Sequence, residues 1–232
     1  MLSFKIDSTM PDIYILQINT AFSEASIGIS KNGELLAEST NPDQQDHAAF
    51  LQPAILELCK NVQINLNDLQ AVSVVNGPGS YTGLRVGLSS AKGICYALNI
   101  PIICINTLEW MAFGNIGIEA TLICSMIDAR RSEVFTAVYD KNMIPTVQPT
   151  AMVLDETSFE SLLNEYSIGF VGNGAEKWQA ICNHANASFP ASEQNARHLS
   201  TMSYNSFLKK DFADLAYSEP YYIKEFFSGH KA

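Results

Sequence analysis

Hydrophobic positions along the 232 residues fall into two rhythms, and the switches between them mark out strands and helices. Residues 13–18 form a short apolar run, and 25–30 and 34–39 lie on either side of Lys31-Asn32-Gly33, a turn sequence that joins antiparallel strands. From His47 the rhythm changes. Leu51, Ile55, Leu58 and Val62 recur at steps of three and four, which predicts an amphipathic helix over 47–62, kinked at Pro53 or beginning near Leu51. Residues 71–75 are small and β-branched and stop at Asn76-Gly77-Pro78-Gly79, so they predict a buried strand delivered into a tight turn. A long helix is expected over 82–98, capped by Ser80 or Thr82, whose oxygens can accept from an unpaired first-turn amide. A strand at 102–105 and a short helix capped by Thr107 and running through Met111 complete the order β-β-β-α-β-α-β-α.

The second half starts again with strands. Residues 121–127 and 133–139 flank Asp128-Ala129-Arg130-Arg131-Ser132, and 146–152 form a third strand. A helix over 156–166, a strand at 168–171, the turn Gly172-Asn173-Gly174-Ala175 and a helix around Trp178 follow. Residues 183–199 are loop-rich, 200–210 helical, and 218–224 an extended tail. This coarse repeat predicts an α/β protein of two ribonuclease H-like lobes, as in the actin, sugar kinase and Hsp70 superfamily, with mixed sheets flanked by helices. The lobes are expected at 11–106 and 107–232, meeting near Asn106, after a flexible leader at 1–10 in which Met10 is an alternative start.

Composition narrows the classes of function. With 47% hydrophobic and 16% charged residues the chain can bury a sizeable core without staples. A formal net charge of −10 opposes strong direct binding to RNA or DNA, which needs clustered cations. Cys59, Cys95, Cys104, Cys124 and Cys182 are scattered through apolar surroundings with no CxxC pair, the pattern of reduced core thiols in a cytoplasmic protein. No apolar run approaches the roughly 20 residues that cross a bilayer, so no membrane is expected as a partner.

Candidate chemistry centres on the glycine-rich turn. Amides at a helix start attract anions, but Gly83 is followed by Leu84-Arg85 and not by the Lys-Ser or Lys-Thr of a phosphate loop, and Ser80 lacks the flanking glycines of a hydrolase nucleophile. A structural or docking role is favoured for Gly77, Pro78, Gly79, Ser80, Thr82 and Arg85. Gly83, Gly87 and Ala91, with Ser90 beside them, leave a nearly bare stripe, and each interior glycine costs about 1 kcal/mol relative to alanine, so close approach of another helix is expected there. Nucleotide-binding members of the superfamily end the first strand in an aspartate. Here Asn19 followed by Thr20 stands at that point, and Phe22 adds bulk where phosphates would lie. His47, His184, His198 and His230 form no helical metal-binding pair. His47 beside Asp46 is a possible ligand, with a surface or capping role favoured. Gly172 and Gly174 either approach a nucleotide or simply turn the chain. The charges of Asp128, Arg130, Arg131 and Glu133 either pair with a substrate or are solvated.

Residues 76–87, Asn-Gly-Pro-Gly-Ser-Tyr-Thr-Gly-Leu-Arg-Val-Gly, continued by Ala91-Lys92-Gly93, resemble the TsaB family of tRNA threonylcarbamoyladenosine biosynthesis, formerly called glycoprotease-like. Further matches are the His47 region leading to Leu51 and Pro53, Ile100-Pro101, residues 106–109, 128–134 and 171–175, and Glu219-Pro220-Tyr221-Tyr222-Ile223. Asn19 and Ser132 depart from it, since the family commonly carries an acidic residue and a glycine there. The resemblance implies a non-catalytic scaffold that supports TsaD, the paralogue that transfers threonylcarbamoyl to a tRNA adenosine next to the anticodon, together with the ATPase TsaE. ATP and metal are then expected on those partners, with none required by this chain, and tRNA is reached only through the complex. The family docks through its N-terminal lobe, which implies a four-helix packing with the paralogue, or with a second copy as a homodimer. Leu51, Ile55, Gly83, Gly87, Ser90 and Ala91 are expected at or beside that surface. The alternative is an ATP-binding transferase or a peptidase acting alone.

Overall fold

The first strand, β1 (Tyr14–Asn19), is covered on both faces, with Ile15, Leu16 and Ile18 all fully buried. That is why its sequence reads as an apolar run, interrupted only by Gln17, which is itself buried and donates to Ser30 Oγ at 2.6 Å. The computed structural model describes residues 11–43, 46–192 and 195–224; the expected leader at 1–10, with Met10, and His230 lie outside them. β1 sits at the centre of a five-stranded sheet with β2 (Ala25–Lys31), β3 (Glu34–Asn41), β4 (Leu69–Gly77) and β5 (Ile102–Asn106) in the order β3-β2-β1-β4-β5. β1 runs antiparallel to β2 and parallel to β4, and β4 is parallel to β5. β3, at the edge, alternates exposed and half-buried residues as a strand with one wet face does.

Two helices cover one face of this sheet. α1 (His47–Asn61) and α2 (Tyr81–Leu98) place Leu51, Ile55 and Leu58, and Leu88, Ala91 and Cys95, against Leu16, Ile18, Ile27, Val72 and Val74. α1 begins at His47 and runs through Pro53, so Pro53 does not mark its first turn. The other face carries Ile15, Ala71, Val75, Ile103 and Ile105, packed on Leu108 and Met111 of α3 (Thr107–Phe113). Asn106 caps α3, its side chain accepting from Leu108 N at 2.9 Å and Glu109 N at 3.3 Å.

The second sheet repeats the opening pattern. β6 (Leu122–Asp128), β7 (Glu133–Tyr139) and β8 (Pro145–Val153) form an antiparallel run, and β9 (Ile168–Val171) adds in parallel beside β6, in the order β10-β9-β6-β7-β8 with β10 (Ala187–Ser188) at the edge. Its outer face packs Phe159, Phe170 and Trp178, the rings 5.3–6.0 Å apart, beneath α4 (Glu160–Leu163) and α5 (Ala175–Gln179). The helix expected over 156–166 is thus a single turn. Asp155 accepts from Thr157 N at 2.9 Å and its own N donates to Ser158 Oγ at 3.0 Å, a side-chain turn that competes with helix, and Phe159 takes a left-handed φ of 60°. Within the region expected to be loop, α6 (Ala196–Lys209) already begins, capped by Asn195, which accepts from His198 N at 3.2 Å.

The chain then returns to where it began. α6 lies against β1, β2, β3 and β5 and contributes Leu199 and Met202 to the core between the sheets, although the expected boundary at 106 groups it with the second lobe. Beyond it Ala213 bridges to Ile102, Tyr221 N donates to Asn76 O at 2.7 Å, and Lys224 pairs with Glu133 on β7. The tail therefore ties the first sheet to the second. All five cysteines are unpaired, and burial pushes the Cys95 thiol up to about 11 and Cys124 up to about 12, which keeps both protonated. Among the described residues no helix is long and apolar enough to cross a membrane.

Candidate functional site

The turn after β4 is shaped by what presses on it. Gly77 has a φ of +123° and a Cβ there would lie 2.5 Å from the Tyr221 carbonyl oxygen, so only glycine fits; the Gly77-Pro78 bond is cis. A Cβ at Gly79 would lie 2.4 Å from Ala21 O, and Ser80 N donates to that same oxygen at 2.7 Å. Ser80 is the helix cap, its Oγ accepting from Gly83 N at 3.3 Å, and α2 starts at Tyr81, with Thr82 exposed inside its first turn. The turn is thereby locked onto the end of β1.

The same contacts correct the reading of the glycine stripe. A Cβ at Gly83 would come within 2.0 Å of Thr20 O, and one at Gly87 within 2.3 Å of Thr20 Oγ1, which itself donates to Gly83 O at 2.7 Å. Leu51, Ile55 and Ala91 are likewise buried in the chain's own core. These five positions face the sheet and the end of β1, where no second helix can reach them. The helix that needs glycine here is α2 itself, because the chain leaving β1 crosses directly beneath it. Ser90 is half-buried, and Gly93 alone of α2's glycines is bare, with nothing among the described residues within 4 Å of its Cβ position.

Between the two sheets the β1–β2 turn, the starts of α1 and α2 and the β6–β7 hairpin enclose a cavity of about 860 Å³. Phe22, His47, Tyr81, Val86, Phe135 and Arg130 are among its lining residues. Asn19, Thr20, Gly172 and Gly174 are not. Asn19 is buried and accepts from Ala21 N at 3.1 Å, and Thr20 supports α2 as above. Gly172, with φ of +98°, would push a Cβ to 2.2 Å from Met111 Cε and 2.4 Å from Met126 O, and a Cβ at Gly174 would lie 2.9 Å from Ile127 C. Both glycines serve the packing of the β9–α5 turn on β6, which favours the second of their two readings. His47 is no surface residue: it is buried, its Nε2 lies 3.3 Å from Phe22 O, and it fixes the turn that carries Phe22 into the cavity.

The β6–β7 hairpin is held from below. Lys177 Nζ donates to Asp128 Oδ1 and Arg131 O, each at 2.7 Å, and to Glu133 O at 3.2 Å, while Asp128 N donates to Asn173 Oδ1 at 3.0 Å. The Lys177 ammonium holds the Asp128 carboxyl below its ordinary range. Arg130 and Arg131 take left-handed φ values of 68° and 51°, so the turn is strained at two successive non-glycine residues. Among the described residues no group of three or more His, Cys, Asp or Glu is placed to hold a metal ion.

The tail was legible only as an extended segment, yet it builds a second polar feature on α2. Arg85 stacks on Tyr81, its Cζ 4.0 Å from the ring centroid, and its Nε donates to Tyr222 OH at 3.0 Å. One stripe further along, Lys92 Nζ donates to Ala216 O at 3.1 Å and Ser218 O at 3.0 Å.

Two mixed sheets flanked by helices, packed on a shared core and lining a cleft, define a two-lobed α/β protein. YeaZ from Pseudomonas aeruginosa has this fold, with a TM-score of 0.73 over 90% of this chain and 99% of that one at 19% identity. A more distant likeness is the Lmo2764 protein of Listeria monocytogenes, described as a candidate N-acetylmannosamine kinase, with a TM-score of 0.50 over 86% of this chain and 100% of that one at 9% identity. In sequence, the family described as TsaD, tRNA N6-adenosine threonylcarbamoyltransferase, matches residues 34–221. The tRNA threonylcarbamoyladenosine biosynthesis protein TsaB of Escherichia coli is 30% identical over 71% of this chain and 73% of its own length. That of Bacillus subtilis is 33% identical over 54% of each, so the match spans about half the length of that relative. The chain belongs to the TsaB family.

Proposed function

We propose that this chain is a non-catalytic scaffold subunit in tRNA threonylcarbamoyladenosine biosynthesis, acting in the cytoplasm, where it binds and supports TsaD, with the ATPase TsaE, during transfer of threonylcarbamoyl to the tRNA adenosine next to the anticodon. Membership of the TsaB family carries this reading. Two residues support it: Phe22 adds bulk to the lining of the cleft, and Asn19, at the end of β1, is turned onto its own backbone and offers no carboxylate for a metal. In this reading ATP and metal belong to the partner subunits, and tRNA is met through the complex.

The docking surface we assign is the outer face of α2 with the neighbouring face of α1. Val86, Ser90, Gly93, Ile94 and Ala97 share one side of α2 by helical spacing, none of them fully buried, and Leu56 on α1 is 50% exposed. A bare glycine among apolar residues permits close helix approach, with TsaD or, in isolation, with a second copy. Gly93→Leu is expected to abolish co-purification with TsaD while leaving the circular dichroism spectrum and melting temperature of the isolated chain intact. Reconstitution tests the function itself. TsaD, TsaE, a threonylcarbamoyl donor and unmodified tRNA, with and without this chain, should give modified tRNA only when it is present; equal product in its absence overturns the proposal. The competing reading, a transferase or peptidase acting alone, draws on the cavity's Arg130 and helix start, and calorimetry with ATP and magnesium decides it, since tight binding with turnover would revive it.

A further inference from the structure

Arg85 is held in place yet has no acidic partner among the described residues. Its Nε is fixed by Tyr222 OH at 3.0 Å and its guanidinium plane by Tyr81 at 4.0 Å, with the two tyrosine rings 5.4 Å apart. Tyr222 is in turn anchored on both sides, by Tyr221 N on Asn76 O at 2.7 Å and by the ion pair of Lys224 with Glu133. Among the described residues Arg85 forms no ion pair, in a chain with 24 carboxylate residues against 14 lysines and arginines. The Nε bond and the stacking fix the plane of an exposed guanidinium whose partners among the described residues are all tyrosines, so little side-chain freedom is left to lose on binding. Arg85 sits one helical step from exposed Thr82 and Ser89, at the border between the tail and the open face of α2.

We propose that this fixed guanidinium is a specificity anchor that takes one aspartate or glutamate side chain of the protein partner in a bidentate pair. The inference rests on the docking surface assigned above and adds the chemistry at its rim. A protein carboxylate fits better than an RNA backbone. Phosphodiester binding recruits several cations together, whereas Lys92, the next cation along the same stripe, is already spent on two tail carbonyls, and the chain as a whole carries −10. A rigid arginine between tyrosines is also the composition of a protein–protein hot spot.

The test measures binding of full-length chains to TsaD of the same organism by titration calorimetry at low and moderate salt. Arg85→Lys keeps the charge and loses the fork, and is expected to weaken binding about tenfold or more; Arg85→Gln should do the same and also reduce the dependence of affinity on salt. Tyr222→Phe, which frees Nε but keeps the stack, should weaken binding about threefold. Both positions are exposed, and unchanged melting temperatures establish that the three variants fold. Equal affinity of Arg85→Lys and wild type overturns the anchor while leaving the docking surface standing. Unchanged assembly with weaker retention of tRNA by the assembled Arg85→Gln complex overturns it in favour of an RNA phosphate. Failure of the wild-type chain to bind TsaD removes the docking reading itself, and the anchor with it.

Discussion

At Gly87 a Cβ would lie 2.3 Å from the Thr20 hydroxyl oxygen, whereas at Gly93, less than two turns along the same helix, it would meet none of the described residues within 4 Å. The first glycine is required by the protein's own chain. The second has no neighbour among the described residues that requires glycine, and in a helix interior it weakens the fold by about 1 kcal/mol relative to alanine. A small residue in a helix therefore carries opposite meanings according to which face it occupies, and only the face that is bare in the isolated chain points to a partner. The contrast also explains why a stripe chosen by four-residue spacing leads inward: Gly83, Gly87 and Ala91 adjoin Leu84, Leu88 and Cys95, and together they make one broad buried face.

The strongest way to break this contrast is Gly83→Ala. Its Cβ would stand 2.0 Å from a backbone oxygen, Thr20 O, which cannot swing aside as a side-chain tip can. α2 would have to lift from the end of β1, taking with it the Thr20 Oγ1 to Gly83 O bond. A loss of about 3 kcal/mol or more is expected in urea unfolding. A loss under about 1 kcal/mol would show that the inner face is loosely packed and that its glycines are not required by β1.

A double-mutant cycle sharpens the same point at Gly87. There the sole close obstacle is the Thr20 hydroxyl; the next atoms, Ile18 Cγ2 and Thr20 Cβ, are at an ordinary 3.5 Å. Gly87→Ala alone should cost about 2 kcal/mol, and Thr20→Ala alone about 1–2 kcal/mol through its lost hydrogen bond. In the Thr20→Ala background the Gly87→Ala step should become nearly neutral, a coupling of about 2 kcal/mol. Additive costs would assign Gly87 to some constraint other than that hydroxyl.

Local rhythm made most strands and the helices α1 and α2 legible, because apolar runs of five or six residues and three-four spacing report burial directly. What it could not report was long-range return. α6 packs on the first sheet, Tyr221 O dictates Gly77, and Tyr222 fixes Arg85; each pairs residues about ninety or more positions apart, for which a single sequence holds no periodic signal. The same limit applies to the cleft. The Asp128–Glu133 hairpin was visible as a turn, and Phe22 as bulk, but Asn19, Thr20, Gly172 and Gly174 proved to be supports behind the cavity wall, and His47 a buried clasp on Phe22 O. One usable signal was present for α2: Leu84, Leu88, Ala91 and Cys95 define an inward arc, and Gly93 falls outside it.

The smallest expected effect is the most discriminating for the outer face. Gly93→Ala adds one methyl into open space on an exposed turn, so the isolated chain should gain about 0.5–1 kcal/mol from helix propensity and the reduced freedom of the unfolded state. Urea unfolding measures this gain. If the bare position exists to admit a partner's backbone, the same methyl should weaken binding to TsaD by a few-fold, and Leu at that site should abolish it. Stability rising while affinity falls cannot arise at an inward glycine, where any added atom first damages the fold. A variant that is more stable and binds TsaD as tightly as the wild type would remove Gly93 from the docking surface.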